Sequence, residues 1–300
     1  MRFGFAIPAY GENADGGRIR ELLVAADELG LDSAWFPDHV ALPDYAADML
    51  PPPVLEPLAA CAWGLGLTNR LRFGTDVLVA PYRHPLVVAA MTGTLGRLAV
   101  DRLILGVGIG YLRGEFDALG VGPYESRARV TEEFLRIQRT SPEGLSVVAP
   151  TSPVPLWVGG NSAAAVQRAA LLGDGWHPLW MPDRTYALAR TRILETRKAA
   201  GLTEAFTFSY SCSATKILFE SPQGWPPPRA RAPRGSEFRY APEPWVDGDN
   251  RPRLVGTPDQ VIADLRLLEV AGVEHVTLRF GSTDIRDLER FVEEIRPAFA

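Results

Sequence analysis

The sequence predicts an α/β protein in which eight parallel strands, each with a helix behind it, close into a (β/α)8 TIM barrel. Three observations predict it. Strand-like and helix-like runs alternate along nearly the whole 300 residues, and strict alternation means parallel strands joined by crossovers. Eight such units can be read, a number that favours closure over an open sheet. With 46% hydrophobic residues, the chain has ample material for a single large core, and barrels of this type run to about 250 residues as one unit. One domain over residues 1–300 is therefore expected.

The first strand is RFGFAI (2–7). The run GRIRELLVAADELG (17–30) follows it, placing Ile19, Leu22, Leu23, Ala26 and Leu29 on one helical face and stopping at Gly30. SAWFPD (33–38) is the second strand, followed by a proline-rich loop (43–53) and the helical PLAACAWGLGL (57–67). LRFGTDVLV (71–79) is the third, and Pro85 opens the helix after it, at a position where a missing N–H costs nothing. RLILGVGIG (102–110) and the helix RARVTEEFLRIQR (127–139) form the fourth unit. LWVGG (156–160) leads into an alanine-rich helix from Ser162, and DGWHPLW (174–180) into a helix over 185–201. FTFSYSCSATKILF (206–219) is the seventh strand, and HVTLRF (275–280), after a helix over 257–272, is the eighth. Residues 220–252 break the rhythm with a Pro/Arg-rich insertion. Because it follows a strand, it is expected to hang over the C-terminal mouth as a lid around Trp225 and Trp245.

Composition narrows the function. A net charge of −5 with no basic stripe argues against nucleic acid. MRFGFAIPAY lacks a signal-peptide core, and no apolar run approaches the ~18 residues of a membrane span. A cytoplasmic enzyme without membrane contact is expected. The two cysteines, Cys61 and Cys212, have no ligand spacing, and no HxH or HExxH occurs, so no metal site is expected. There is no GxSxG, and neither cysteine has a nearby base, which disfavours covalent hydrolysis and leaves room for a bound cofactor to carry the chemistry.

Active sites of such barrels lie at the strand C-termini. There the sequence offers Asp38-His39, Asp76, Gly108-Ile109-Gly110-Tyr111, Gly159-Gly160-Asn161-Ser162, His177 and Arg279. The GGNS stretch reads in two ways: as an anion site where bare backbone meets a helix N-terminus, or as a tight turn with Ser162 as a cap. Gly108 and Gly110 either leave a slot for a flat ring or mark a bulge. Histidine titrates near neutrality, so Asp38-His39 is the candidate pair for proton chemistry, against the alternative of a histidine bound to a neighbouring loop. His177 and Arg279 are expected to face a small-molecule substrate, although Trp176 competes with His177 for the inward position.

Taken together, FGFAIP, SAWFPDHV, LRFGTDVLVAPYRHP, DRLILGVGIGY, PLWVGGNSAAAVQRAALLGDGWHP and VGTPDQVIADLRLLEVAGVEHVTL resemble the luciferase-like flavin and deazaflavin oxidoreductases over nearly the whole chain. The resemblance implies coenzyme F420, or alternatively FMN, with its ring over the barrel mouth. It also implies a non-proline cis peptide in strand three, at Asp76-Val77, backing the ring, and cofactor phosphate and tail contacts at Gly159, Gly160, Asn161 and Ser162. Asp38 and His39 would stand beside the ring, with Gly108 and Gly110 beneath it. Ile109 stands where the FMN-using luciferases carry a phosphate-gripping Arg, which favours the deazaflavin. Tyr111 stands where the F420-dependent sugar-phosphate dehydrogenases carry an acidic Glu, and Pro43 where they carry a Trp, which disfavours a sugar phosphate. Tyr111 then becomes a candidate proton donor or a wall against the ring. The expected function is F420-dependent hydride transfer to or from a small organic substrate. FMN-dependent monooxygenation, a cofactor-free relative and a metal-free lyase or isomerase are the alternatives. The helices after strands two and three are expected to pair across a two-fold, giving a homodimer.

Overall fold

The computed structural model describes residues 1–47, 50–140, 143–212, 215–217, 245–248 and 251–300. Its strands are β1 (Arg2–Ala6), β2 (Ser33–Phe36), β3 (Arg72–Thr75), β4 (Leu78–Val79), β5 (Leu103–Gly108), β6 (Leu156–Gly159), β7 (Gly175–His177), β8 (Thr207–Ser211), β9 (Lys216–Ile217), β10 (Val255–Gly256) and β11 (His275–Leu278). β1 pairs with β2 and β11, and β3 pairs with β5, so β1, β2, β3 continued by β4, β5, β6, β7, β8 and β11 close a parallel eight-stave barrel. The outer helices are α1 (Gly16–Glu28), α2 (Pro57–Leu67), α3 (Pro85–Leu98), α4 (Arg113–Leu119), α5 (Arg127–Arg139), α6 (Ala163–Leu172), α7 (Asp183–Ala199), α8 (Pro258–Val270) and α9 (Ile285–Arg290). No described helix is long and apolar enough to cross a membrane.

Strand side chains alternate between two environments, as the period of two requires. Phe3, Phe5, Phe36, Phe73, Leu105, Val158, Trp176, Tyr210 and Val276 point outward into the main core beneath the helices. Trp35, Ile104 and Trp157 form a separate apolar cluster inside the barrel. His177 stacks on Trp35 with ring centroids 4.7 Å apart, so the inward position on β7 belongs to the histidine, with Trp176 facing outward. Glycines make this packing possible: a Cβ on Gly74 would lie 2.3 Å from the Trp35 ring.

Helix starts follow the side chains available. Asp15, Glu56, His84, Ser162 and Asp284 each accept an otherwise orphaned N–H, and Thr257 with Gln260 forms a capping box before Pro258.

Two expected strands differ in extent. The third is interrupted after Thr75, where the Asp76–Val77 peptide is cis, and resumes as β4. The seventh ends at Ser211, and Lys216–Ile217 form the separate β9, which pairs with β10. Most of the expected lid, including Trp225 and Arg229, Arg231, Arg234 and Arg239, lies outside the described residues. Its far end is tied down. Trp245 is buried with its ring 5.8 Å from Tyr210, and its Nε1 donates to Asp183. Arg251 and Arg253 both pair with the buried Asp264. The expectation of Trp245 as a lid aromatic is therefore corrected: it is a core residue.

Candidate active site

After β2 the chain turns at Pro37 and delivers Asp38 and His39 to the C-terminal rim. Asp38 is 3% exposed. Its carboxylate accepts from Val79 N at 2.7 Å and from Arg83 Nη1 and Nη2 at 2.6 and 2.8 Å. Arg83 also reaches Glu56 at 2.7 Å. Burial opposes the guanidinium charge, but the two carboxylates outweigh it and hold the Arg83 pKa above its ordinary value. Asp38 is thus a buckle between strand ends. Its two oxygens are committed to Val79 N and the Arg83 guanidinium, while burial, only partly offset by these partners, raises its pKa.

His39 meets a residue that the sequence reading passed over. Its Nδ1 lies 2.8 Å from Oε2 of Glu115 in α4. Glu115 is fully buried and also accepts from Tyr82 Oη at 2.9 Å, Val40 N at 2.9 Å and Ala41 N at 3.3 Å. Burial pushes its pKa up, yet these hydrogen bonds prevail and hold it below the usual carboxylate range. Glu115 is therefore an acceptor only, which places a hydrogen on His39 Nδ1 and leaves Nε2 without a partner among the described residues. Glu115 is buried on α4 next to Phe116, and the pattern of so short a helix carries no signal that marks it.

Tyr111 packs edge-on against His39, with centroids 5.8 Å apart and an 83° interplanar angle. Burial, reinforced by the Glu115 charge and opposed by Arg279, pushes its hydroxyl well above the ordinary phenol value. Its ring forms a wall of the site beside His39.

The lumen beneath holds a second polar cluster. Asp76 Oδ2 accepts from Arg279 Nη2 at 2.6 Å and Ser211 Oγ at 3.1 Å, and Oδ1 faces His177 Nε2 at 3.2 Å. Burial raises the Asp76 pKa, but His177, Arg279 and Ser211 overcome it and bring it down to about 2. His177, Asp76 and Arg279, from three separate strand ends, are thus one cluster.

The glycines are closely approached by neighbouring side chains. A Cβ on Gly108 would lie 2.5 Å from Val77 Cγ2, one on Gly159 3.0 Å from Val77 Cγ1, and one on Gly110 2.6 Å from Val79 Cγ1. Bare backbone at these positions lets Val77, Val79 and Phe116 pack close against the strand ends. Asn161 holds the β7 loop, its Oδ1 accepting from Leu179 N at 3.0 Å and its Nδ2 donating to Leu179 O. Ser162 caps α6 by accepting from Ala165 N at 3.2 Å. Both side chains are therefore committed to the turn. The consecutive amides of Asn161, Ser162, Ala163 and Ala164 meet no acceptor among the described residues, so what this turn offers an anion is backbone N–H at a helix N-terminus. Gly160, at φ 109°, makes the turn in a conformation that favours glycine. No three His, Cys, Asp or Glu side chains gather to hold a metal ion among the described residues.

A histidine fixed by a buried carboxylate, set beside an ion-paired lumen at the mouth of a (β/α)8 barrel, defines an enzyme. The chain belongs to the luciferase-like monooxygenase family, whose pattern matches residues 1–223. It is 33% identical over 194 residues to an F420-dependent glucose-6-phosphate dehydrogenase of Kineococcus radiotolerans, covering 59% of this chain and 56% of that one. An F420-dependent secondary alcohol dehydrogenase in complex with an F420-acetone adduct has the same fold, with a TM-score of 0.76 at 19% identity, covering 100% of this chain and 99% of that one. So does the oxygenating component of 3,6-diketocamphane monooxygenase from Pseudomonas putida in complex with FMN, with a TM-score of 0.73 at 18% identity, covering 99% and 98%.

Proposed function

We propose that the chain is an F420-dependent oxidoreductase acting on a small organic substrate. When bound, the deazaflavin supplies or accepts the hydride. The observation that carries the reading is the His39–Glu115 pair: a histidine whose Nδ1 is held by an anion presents Nε2 as the one atom that can give or take the accompanying proton.

The residues present fit such a group. The amides of Asn161 to Ala164 would hold its phosphate, in keeping with the positive end of α6. Asp38 and Arg83 fix the strand-three end relative to His39. Tyr111 excludes water from the histidine on one side.

The relatives named for F420, together with Ile109 in place of a phosphate-gripping arginine, support the deazaflavin over FMN. The diketocamphane monooxygenase keeps FMN as the second reading. Titration of the purified protein with F420, followed by its fluorescence, and with FMN in parallel tests this. Saturable F420 binding with weaker FMN binding is expected; tight FMN binding without F420 binding overturns it.

A homodimer and a cytoplasmic location belong to the same reading. Trp63 on α2 and Val87, Met91 and Leu98 on α3 are exposed apolar side chains on neighbouring helices, the kind of face a two-fold covers. Sedimentation of a dimer that Leu98→Glu and Val87→Glu dissociate supports it; a monomer at all concentrations sinks it.

A further inference from the structure

The two oxygens of Glu115 take different kinds of donor. Oε1 accepts the backbone amides of Val40 and Ala41 at 2.9 and 3.3 Å. Oε2 accepts two side chains, His39 Nδ1 at 2.8 Å and Tyr82 Oη at 2.9 Å. A carboxylate offers about four lone-pair sites, so these donors fill it. His39 and Tyr82 therefore share one atom and draw on the same negative charge.

Tyr82 follows β4 at the end of the third stave, buried with its ring edge-on to Phe116 at 5.1 Å. Its chain neighbour Arg83 grips Asp38, while Tyr82 reaches His39 through Glu115. Two adjacent residues of one stave thus hold both members of the Asp38-His39 pair. The Tyr82 hydroxyl keeps its proton, because burial, followed by the Glu115 charge and hydrogen bond, pushes it far above the ordinary phenol value. It is a donor to Oε2 and nothing else in this contact.

We propose that Tyr82 is a positioning residue that sets how tightly His39 Nε2 holds a proton. The negative charge on Oε2 favours the doubly protonated ring, and the Tyr82 O–H turns its positive end toward the same oxygen and offsets part of that attraction. Without the hydroxyl, His39 meets the full carboxylate and Nε2 becomes the stronger base. The other titratable groups set against His39 are Tyr111, edge-on to its ring, and its chain neighbour Asp38, whose charge is paired with Arg83. The inference rests on the reading of His39 as the proton carrier, but it describes the protein without cofactor.

The test is NMR of the cofactor-free full chain, with the His39 ring followed through a pH titration. In Tyr82→Phe the His39 midpoint should rise by about 0.5 unit or more. In Glu115→Gln there is no anion to share, so adding Tyr82→Phe should move the midpoint far less. A role confined to packing would leave the midpoint in place in both backgrounds. Should Tyr82→Phe fail to fold, the wild-type protein decides: the Tyr82 hydroxyl proton must shift with the His39 midpoint. An unchanged or lowered midpoint in folded Tyr82→Phe, an equal rise in both backgrounds, or a hydroxyl resonance indifferent to the His39 titration overturns the proposal. A raised midpoint in a protein that does not bind F420 sinks the cofactor reading alone, and an unmoved midpoint in one that binds it sinks this inference alone.

Discussion

The carboxylate of Glu115 lies 2.8 Å from Nδ1 of His39, and this contact ties the loop after β2 to the helix after β5. Tyr82 Oη and the amides of Val40 and Ala41 aim at the same two oxygens. The site therefore has four donors and one acceptor group. Glu115→Gln would turn an NH2 toward those donors, at a cost of about 1–3 kcal/mol of stability. Tyr82→Phe removes a donor without leaving a clash and should cost about 1 kcal/mol. Urea denaturation of both variants checks the order; equal or negligible effects would show that the carboxylate is not held as described.

Arg83 and Asp38 form the second fixed contact. Arg83→Met leaves the buried Asp38 carboxylate with Val79 N as its remaining described partner, and an uncompensated buried charge costs about 3–5 kcal/mol. Arg83→Met with Asp38→Asn should recover much of that loss, because the charge goes with its partner. A double variant no more stable than Arg83→Met would contradict the buckle.

Gly108 distinguishes a packing role from a cofactor role. In the cofactor-free protein Gly108→Ala forces its Cβ against Val77 Cγ2, so a loss of about 1–3 kcal/mol is expected even with no ligand present. Val77→Ala in the same chain removes the clash, and the two effects should be clearly non-additive. If Gly108→Ala left the free protein's melting unchanged, the glycine would be facing open space.

The fold was legible because the strands are apolar on the outward face and the helices carry both phase and caps. The site was legible only in part, for three separate reasons. His39 showed itself by its residue type at a strand end. Glu115 did not, because a two-turn helix offers too little periodicity for one buried carboxylate to stand out. Asn161 and Ser162 were ambiguous in principle: the same residues serve an anion site and a turn, and their committed side chains show the turn, with backbone amides left over. The contact of Gly108 with Val77 was not legible, because Val77 comes from another stave and local spacing does not encode it.

The Asp76 cluster predicts a pH dependence. Its folded pKa of about 2 lies below the model-peptide value of 3.8. The unfolded chain therefore binds the proton first on acidification, and stability falls as pH falls. The contribution is full above about pH 5 and is lost progressively toward pH 2, amounting to about 2 kcal/mol. Asp76→Asn should be less stable at neutrality and lose less on acidification over that window. Urea denaturation of both proteins between pH 5 and pH 2.5 checks it; parallel curves would contradict the ion pairs to His177 and Arg279.

The central claim is that the rim between His39 and the amides of Asn161 to Ala164 binds a deazaflavin. A crystal structure of the protein with F420 tests it most directly. The account predicts the phosphate within about 3 Å of those amides and the ring beside Nε2 of His39. A ring bound elsewhere, or a phosphate held away from the start of α6, would contradict it.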